Sequence, residues 1–355
     1  SAFKPNKTML KTVFFTICLL CLPSVFAKQS IVFINPGHAD TNVTGPFWFE
    51  VSQLMRDAAK DFDLDLTIHY ANRNHIEMKS LVAKALKAKP DMLILVDEKS
   101  VLTQQLLSLK HISTPIYFLL NRPSEHELKQ LIDHGINIAG SVVPDNKQAG
   151  QLLADKLIEQ TQHAANIFAI NGDYTTHAAL DREHGLEQSV QTHDNATITA
   201  KTVANWSTTQ AYRQSLGYFS HQPSINIVWA ANDAMAIGAI AALDELNKRK
   251  DVRVGAINWP LRVVAEKIDV TIGGHVTLGA FALVNIYDLL NKHATGPMHH
   301  EMAIFSQHNE QTLKLVEQIH SDNLAINFRV FSKAHENPLP FSVESLLLEA
   351  TKSAL

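Results

Sequence analysis

Between Ser30 and Pro260, short apolar runs alternate with longer stretches whose apolar residues recur at helical spacing. SIVFINPG reads as a strand entering a turn. FWFEVSQLMRDAAKDF places Phe49, Leu54, Met55, Ala58 and Phe62 on one side of a helix. LDLTIHYA, DMLILVDEK and TPIYFLLNRP are further strands, with the helices HIEMKSLVAKALKA and SVLTQQLLSLK between them. This rhythm predicts a parallel sheet covered by helices on both faces.

The rhythm pauses at GINIAGSVVPDN and restarts with NKQAGQLLADKLIEQ, giving a second strand–helix series of similar size. The expected fold is therefore α/β, with two doubly wound parallel-sheet (Rossmann-like) lobes joined by a multi-strand hinge. The hinge is placed at Val142, Val143, Pro144 and Asp145, and again at Gly273 and Gly274, where two glycines give a flexible stop. The N-terminal lobe is expected over 28–141 plus 274–303, and the C-terminal lobe over 142–273 plus 304–355. From Met302 onward the pattern reads as strand, helix and an irregular tail.

At the N-terminus, Met9 and Lys11 precede the apolar run VFFTICLLCL and the exit PSVFA. A basic start, a short apolar core and small residues at alternate positions describe a secretory signal peptide over residues 1–27. Residues 1–8 lie upstream of Met9 and read as a non-native or start-site extension. The run is shorter than the roughly 20 apolar residues a membrane span needs. Removal after Ala27 takes away both cysteines and three lysines, moving the formal charge from −4 to −7. The remaining chain would hold no disulfide and would have to rely on its core. Its acidic balance argues against nucleic acid. It is expected to work outside the inner membrane, in the periplasm, and not to be embedded in the membrane.

Candidate site residues cluster where strands end, which is where ligands bind in parallel sheets. Phe47 and Trp48 follow the first strand, Asp97 and Glu98 the third, and Asn121 and Arg122 the fourth. In the second lobe, Arg182 lies early in a helix. Trp206, Asn232, Asn258 and Trp259 follow strands, and His275 follows the glycine pair. Each strand end carries an aromatic, amide or charged residue, a repeated pattern that packing alone explains poorly. Packing readings stay open beside these. Asn232 and Asp233 fit a helix cap, Phe47 and Trp48 a core staple, and Arg182 a surface pair with Asp181 or Glu183. Trp259 before Pro260 fits a packed turn, and His275 a hinge residue. The 18 histidines show no metal-ligand spacing with cysteines or carboxylates, so no metal and no cofactor is expected.

Six motifs in order carry a resemblance. They are the aromatic pair Phe47–Trp48, the Asn121–Arg122 step, SVVPDNKQAG, the A-x-x-x-R-x-x-G pattern from Ala178 to Gly185, AANDAMAIGA, and VRVGAINW. Together they make the chain resemble the type I periplasmic binding proteins, the ribose- and galactose-binding group, from Ile31 to about Leu290. The resemblance implies a cleft between lobes that closes on a small ligand. It puts Phe47 and Trp48 on one ring face and Trp206 on the other. Arg122 and Arg182 would bond oxygens, with Asn232, Asn258 and His275 completing a polar ring. Asn121 and Asn258 stand where such sugar binders often carry Asp, and His275 replaces an amide. Two arginines with fewer carboxylates point to an acidic or electron-rich ligand, unless Asp97 and Glu98 restore the balance.

The function expected on this resemblance is capture of a small polar, sugar-like ligand for an inner-membrane ABC permease, by a monomer, the default of that family. The alternative is a sensing component that docks on a membrane histidine kinase or chemoreceptor. A repressor of similar core would need a helix-turn-helix where the leader stands. No G-x-S-x-G elbow, P-loop or HExxH pattern supports an enzyme.

Overall fold

The computed structural model describes residues 27–40, 44–221 and 224–352. The expected leader, up to Phe26, lies outside them. The first lobe holds β1 (Ser30–Asn35), β2 (Asp65–Tyr70), β3 (Met92–Leu95), β4 (Ile116–Leu119) and β5 (Ile138–Pro144). The second holds β6 (Ala165–Asn171), β7 (Ala196–Val203), β8 (Ile227–Ala230), β9 (Arg253–Ile257) and β10 (Val270–Gly273). Two late strands, β11 (Met298–Met302) and β12 (Ser306–Gln307), finish one sheet each.

The sheets run β2-β1-β3-β4-β5-β11 and β7-β6-β8-β9-β10-β12, so the same order occurs twice. Every ladder among them is parallel except β10 with β12. Burial follows from this. MLIL in β3, IYFL in β4 and IVWA in β8 are covered on both faces, as interior parallel strands must be. The edge strand β2 alternates exposed and half-buried residues. One apolar core runs through both lobes, and a second fills the other face of the first sheet.

Chain order reverses beside β1 in the first sheet and beside β6 in the second. Crevices outside the carboxyl ends of strands form at such switch points. The helix Phe47–Asp61 begins at the first, and the helix Asp233–Glu245 near the second.

Three sequence expectations change. Val142 and Val143 are not linker residues. They lie inside β5, paired with His300 and Glu301 of β11, so the crossing starts only after Pro144. Asp145 then caps the next helix by accepting from the Gln148 N–H. Gly273 is likewise paired with Ser306, and it is Gly274, at φ 128°, that takes the turn. The helix Glu125–Asp133 was not expected, although Ser124 and Glu127 form a full capping box before it.

The segment from 304, expected in the second lobe, is anchored there only at its start. Arg262 grips Glu310 and Glu317 of the helix Glu310–His320 at 2.8 and 3.1 Å. His320 at the other end meets Glu50 of the first lobe at 2.6 Å. Beyond it, the Phe328 N–H donates to Asp61 (2.7 Å) and Ser332 donates to Asp288 (2.5 Å). Phe341 stacks on Phe281 at 4.4 Å. The tail thus crosses from the second lobe to the first, drawn by buried carboxylates that need donors.

Candidate functional site

Residues following strands of both sheets enclose a cavity of about 90 Å³. On the first-lobe side, buried Asn35 donates to the Trp48 carbonyl (3.0 Å) and to Ser52 (2.9 Å), fixing the start of the helix Phe47–Asp61. Phe47 meets Trp48 edge-on at 5.2 Å and stacks on His275 at 4.7 Å. Arg73, in the turn after β2, holds Glu98, in the turn after β3, at 2.8 Å. Beside Glu98, Lys99 reaches across to Asp173 of the second lobe at 2.5 Å.

The second-lobe side is built around Arg182. Its Nε donates to Asn146 (2.9 Å) and its Nη1 to the Ala231 carbonyl (2.6 Å). Its Nη2 lies 3.2 Å from His275 Nε2, and its guanidinium sits 5.7 Å from the Trp206 ring. Two glycines make this possible. Gly150 and Gly185 let the helices Asn146–Glu159 and His177–Thr192 touch backbone to backbone, because a β-carbon at either would collide with the Arg182 or Lys147 carbonyl. Asn232 accepts from the Met235 N–H, while Asn258 donates to Asp233 at 2.6 Å.

Burial shifts the charges here. It lowers the Arg182 guanidinium to about 9, against the opposing pull of Asp233. It raises Asp233 to about 6, the Asn258 hydrogen bond countering and the charge of Glu50 adding. Burial, with Arg182 beside it, holds His275 well below the usual imidazole value. A guanidinium only donates, so neutral His275 accepts at Nε2 and carries its proton on Nδ1. That Nδ1 is buried and has no partner among the described residues.

The cavity brings together Phe47, Trp48, Glu98, Asn121, Arg182, Trp206, Asn232, Asn258 and His275. Three expected residues are not among its lining. Asp97 is 2% exposed and spends its carboxylate on the Leu102 N–H and Thr103, capping a helix. Arg122 turns to Glu125 at 2.9 Å. Trp259 is 3% exposed, donates to the Ser306 carbonyl and stacks near His308, so it packs beneath the crossing. Arg73, Asn146, Thr176 and Pro144 line the cavity without having been expected as binding residues. Among the described residues, no group of three or more His, Cys, Asp or Glu side chains is placed to hold a metal ion. Nor is any helix there long and apolar enough to cross a membrane.

Comparison with known proteins adds the family context. The pattern described as periplasmic binding protein domain matches residues 40–265. A D-apiose import binding protein from Actinobacillus succinogenes is 22% identical over 248 residues, 70% of this chain and 76% of its own length. The ribose import binding protein of Salmonella typhimurium is 26% identical over 124 residues, spanning 35% of this chain and 42% of its own. A solved periplasmic sugar-binding protein from Pseudomonas fluorescens superposes with a TM-score of 0.78 at 27% identity. That match covers 90% of this chain and 99% of the other. These relatives are binding proteins rather than enzymes.

Proposed function

This chain belongs to the periplasmic binding protein family, and from that premise we propose that it captures a neutral sugar or polyol between its lobes and delivers it to an ABC importer. The observation that carries this reading is the charge balance of an aromatic-lined cavity. In the lining Arg73 is matched by Glu98, while the charge that opposes Arg182 is Asp233, behind the wall. Phe47, Trp48 and Trp206 supply flat apolar surface, and four asparagines supply both donors and acceptors. A neutral, hydroxyl-rich ring uses both kinds of surface.

An acidic ligand fits less well. That expectation counted Arg122 and Arg182 as unbalanced. Arg122 is turned away onto Glu125, and the arginine that lines the first-lobe wall instead, Arg73, is paired with Glu98. The relatives that import D-apiose and ribose handle neutral sugars, and their names favour an importer over a sensor kinase as the partner. Closure would turn on the crossings after Pro144, at Gly274 and between β11 and β12.

The test is a thermal-shift and calorimetric screen with D-ribose, D-apiose, D-allose, xylitol and myo-inositol, beside D-galacturonate and D-gluconate. A ligand at 100 times its Kd adds about 2.7 kcal/mol to stability. At least one neutral member should raise the melting temperature, and the acids should not. A larger shift with the acids would overturn the neutral-ligand reading.

A further inference from the structure

The geometry points to Arg73 and Glu98 as the specificity-determining pair of the first lobe. The Glu98 carboxylate accepts from one ligand hydroxyl while the Arg73 guanidinium donates to the oxygen of its neighbour. The inference rests on the cavity being a sugar site and goes beyond it by naming what is read, two adjacent hydroxyls.

Placement is the first argument. Arg73 follows β2 and Glu98 follows β3, the two strands that flank β1, so the pair spans the switch point of the first sheet. Both residues line the cavity. Spare capacity is the second. A guanidinium carries five N–H donors, and the Arg73 side chain spends one on Glu98 Oε1 at 2.8 Å. Glu98, 5% exposed, has His75 Nε2 4.0 Å from its other oxygen, outside hydrogen-bonding distance. Glu98 thus pairs one oxygen with Arg73 and, as a residue of the cavity lining, has a second oxygen free to accept from a ligand hydroxyl.

Backbone strain is the third. Three times among the described residues, two consecutive non-glycine residues take left-handed backbone: Asn72–Arg73, Lys99–Ser100 and Asn205–Trp206. Each such residue costs on the order of 1 kcal/mol or more and persists where the surroundings impose it. All three turns contain or adjoin a cavity residue: one holds Arg73 and another directly follows Glu98. Finally, Arg122, the other arginine at a strand end of this lobe, is bound to Glu125 and is not in the lining. Arg73 is the arginine the first lobe contributes to the cavity wall.

The pair carries one positive and one negative charge, and together they complement a diol better than an anion. A carboxylate ligand would meet Glu98, whereas a diol offers Glu98 a donor and Arg73 an acceptor.

The experiment is calorimetric titration of the full chain with D-ribose, D-apiose, D-allose, xylitol and myo-inositol, and with monodeoxy analogues of those that bind. The wild type should lose about tenfold or more when one of two adjacent hydroxyls is removed, as expected for a charge-assisted hydrogen bond. Glu98→Gln and Arg73→Gln should each bind the parent about tenfold more weakly and shrink the parent-to-deoxy ratio to below about threefold. Trp206→Ala should weaken parent and analogue alike, leaving that ratio intact. Unliganded melting temperatures separate a binding loss from misfolding. If the Glu98 and Arg73 variants keep the wild-type ratio while Trp206→Ala weakens binding, the pair is not the reader and the sugar site stands. If no member binds, or Trp206→Ala binds normally, the sugar site itself falls and the pair with it.

Discussion

Arg182 and Arg73 stand on opposite walls of one cavity, and their surroundings differ. Arg182 is buried, touches Asn146, Ala231 and His275, and rests near a tryptophan face. Arg73 has one ion-pair partner and a side chain 26% exposed. The second-lobe wall is therefore a finished structure, with most of its polar capacity spent on itself before any ligand arrives. The first-lobe wall keeps donors and an acceptor in reserve. A wall of the first kind fixes shape, and a wall of the second kind discriminates.

The largest expected effect would break the comparison at its stronger end. Arg182→Ala strips three buried neutral acceptors of their donor, and each acceptor left unsatisfied costs about 1–3 kcal/mol of stability. Arg73→Gln exchanges one charge-assisted hydrogen bond to Glu98 for a neutral one and should cost less, about 1 kcal/mol, while still affecting binding. Chemical denaturation of both variants tests this, and equal losses would erase the distinction between the walls.

Next comes the support behind Arg182. Gly150→Val sets a branched side chain against the Arg182 carbonyl between two touching helices. Overpacking of that kind costs about 1–3 kcal/mol. Melting temperature and sugar binding should fall together, and a drop in stability with unchanged binding would uncouple the helix contact from the site.

A smaller effect concerns acid. Asp233 titrates at about 6 folded against 3.8 unfolded. In that window the folded state binds more protons, so the Asp233 contribution to stability falls as pH rises. His275 works the other way. Below 6.5 the unfolded chain takes up a proton that the buried ring refuses, so its contribution falls as pH drops. Measured against wild type, Asp233→Asn should become progressively less stable from pH 6 towards 4. His275→Gln should become progressively more stable below 6.5. Melting curves that stay parallel to wild type across pH 4 to 8 would contradict both.

The smallest effect is a near-silence. Arg122→Ala removes a cation whose partner, Glu125, is 80% exposed at its side chain. Pairs like this contribute about 0–1 kcal/mol, and affinity for D-ribose or D-apiose should change less than about twofold. A large loss would place Arg122 in the site after all.

These contrasts explain what could be read from the sequence. The second-lobe wall was legible because Arg182, Asn232 and Asn258 stand at strand ends or in a spaced motif, where periodicity locates them. The parallel lobes were legible for the same reason. Arg73 was not. It lies in the turn ANRN, which has no period, and reaches the cavity only because β2 pairs beside β1. Asp97 and Glu98 are neighbours of like chemistry, yet one caps a helix and the other faces the cavity. The left-handed turn at Lys99–Ser100 accompanies that split, and nothing in the residue types announces it. The tail failed differently. Its helix Glu310–His320 has a clear apolar face, but a face does not say which lobe it will meet.

The Lys99–Asp173 contact has a consequence in time rather than in affinity. It joins the lobes at 2.5 Å between side chains 34% and 17% exposed. Under the proposed closing motion, escape of a captured molecule requires this pair to part. In contact the pair lies well inside the screening length of about 8–10 Å at physiological salt, so ions weaken its attraction chiefly once the lobes have begun to part. The dwell time of a bound molecule should therefore shorten as ionic strength rises, while the diffusive entry of a neutral one stays nearly constant. A protein working in a compartment whose salinity follows the outside medium would then hold its cargo longest when the surroundings are dilute.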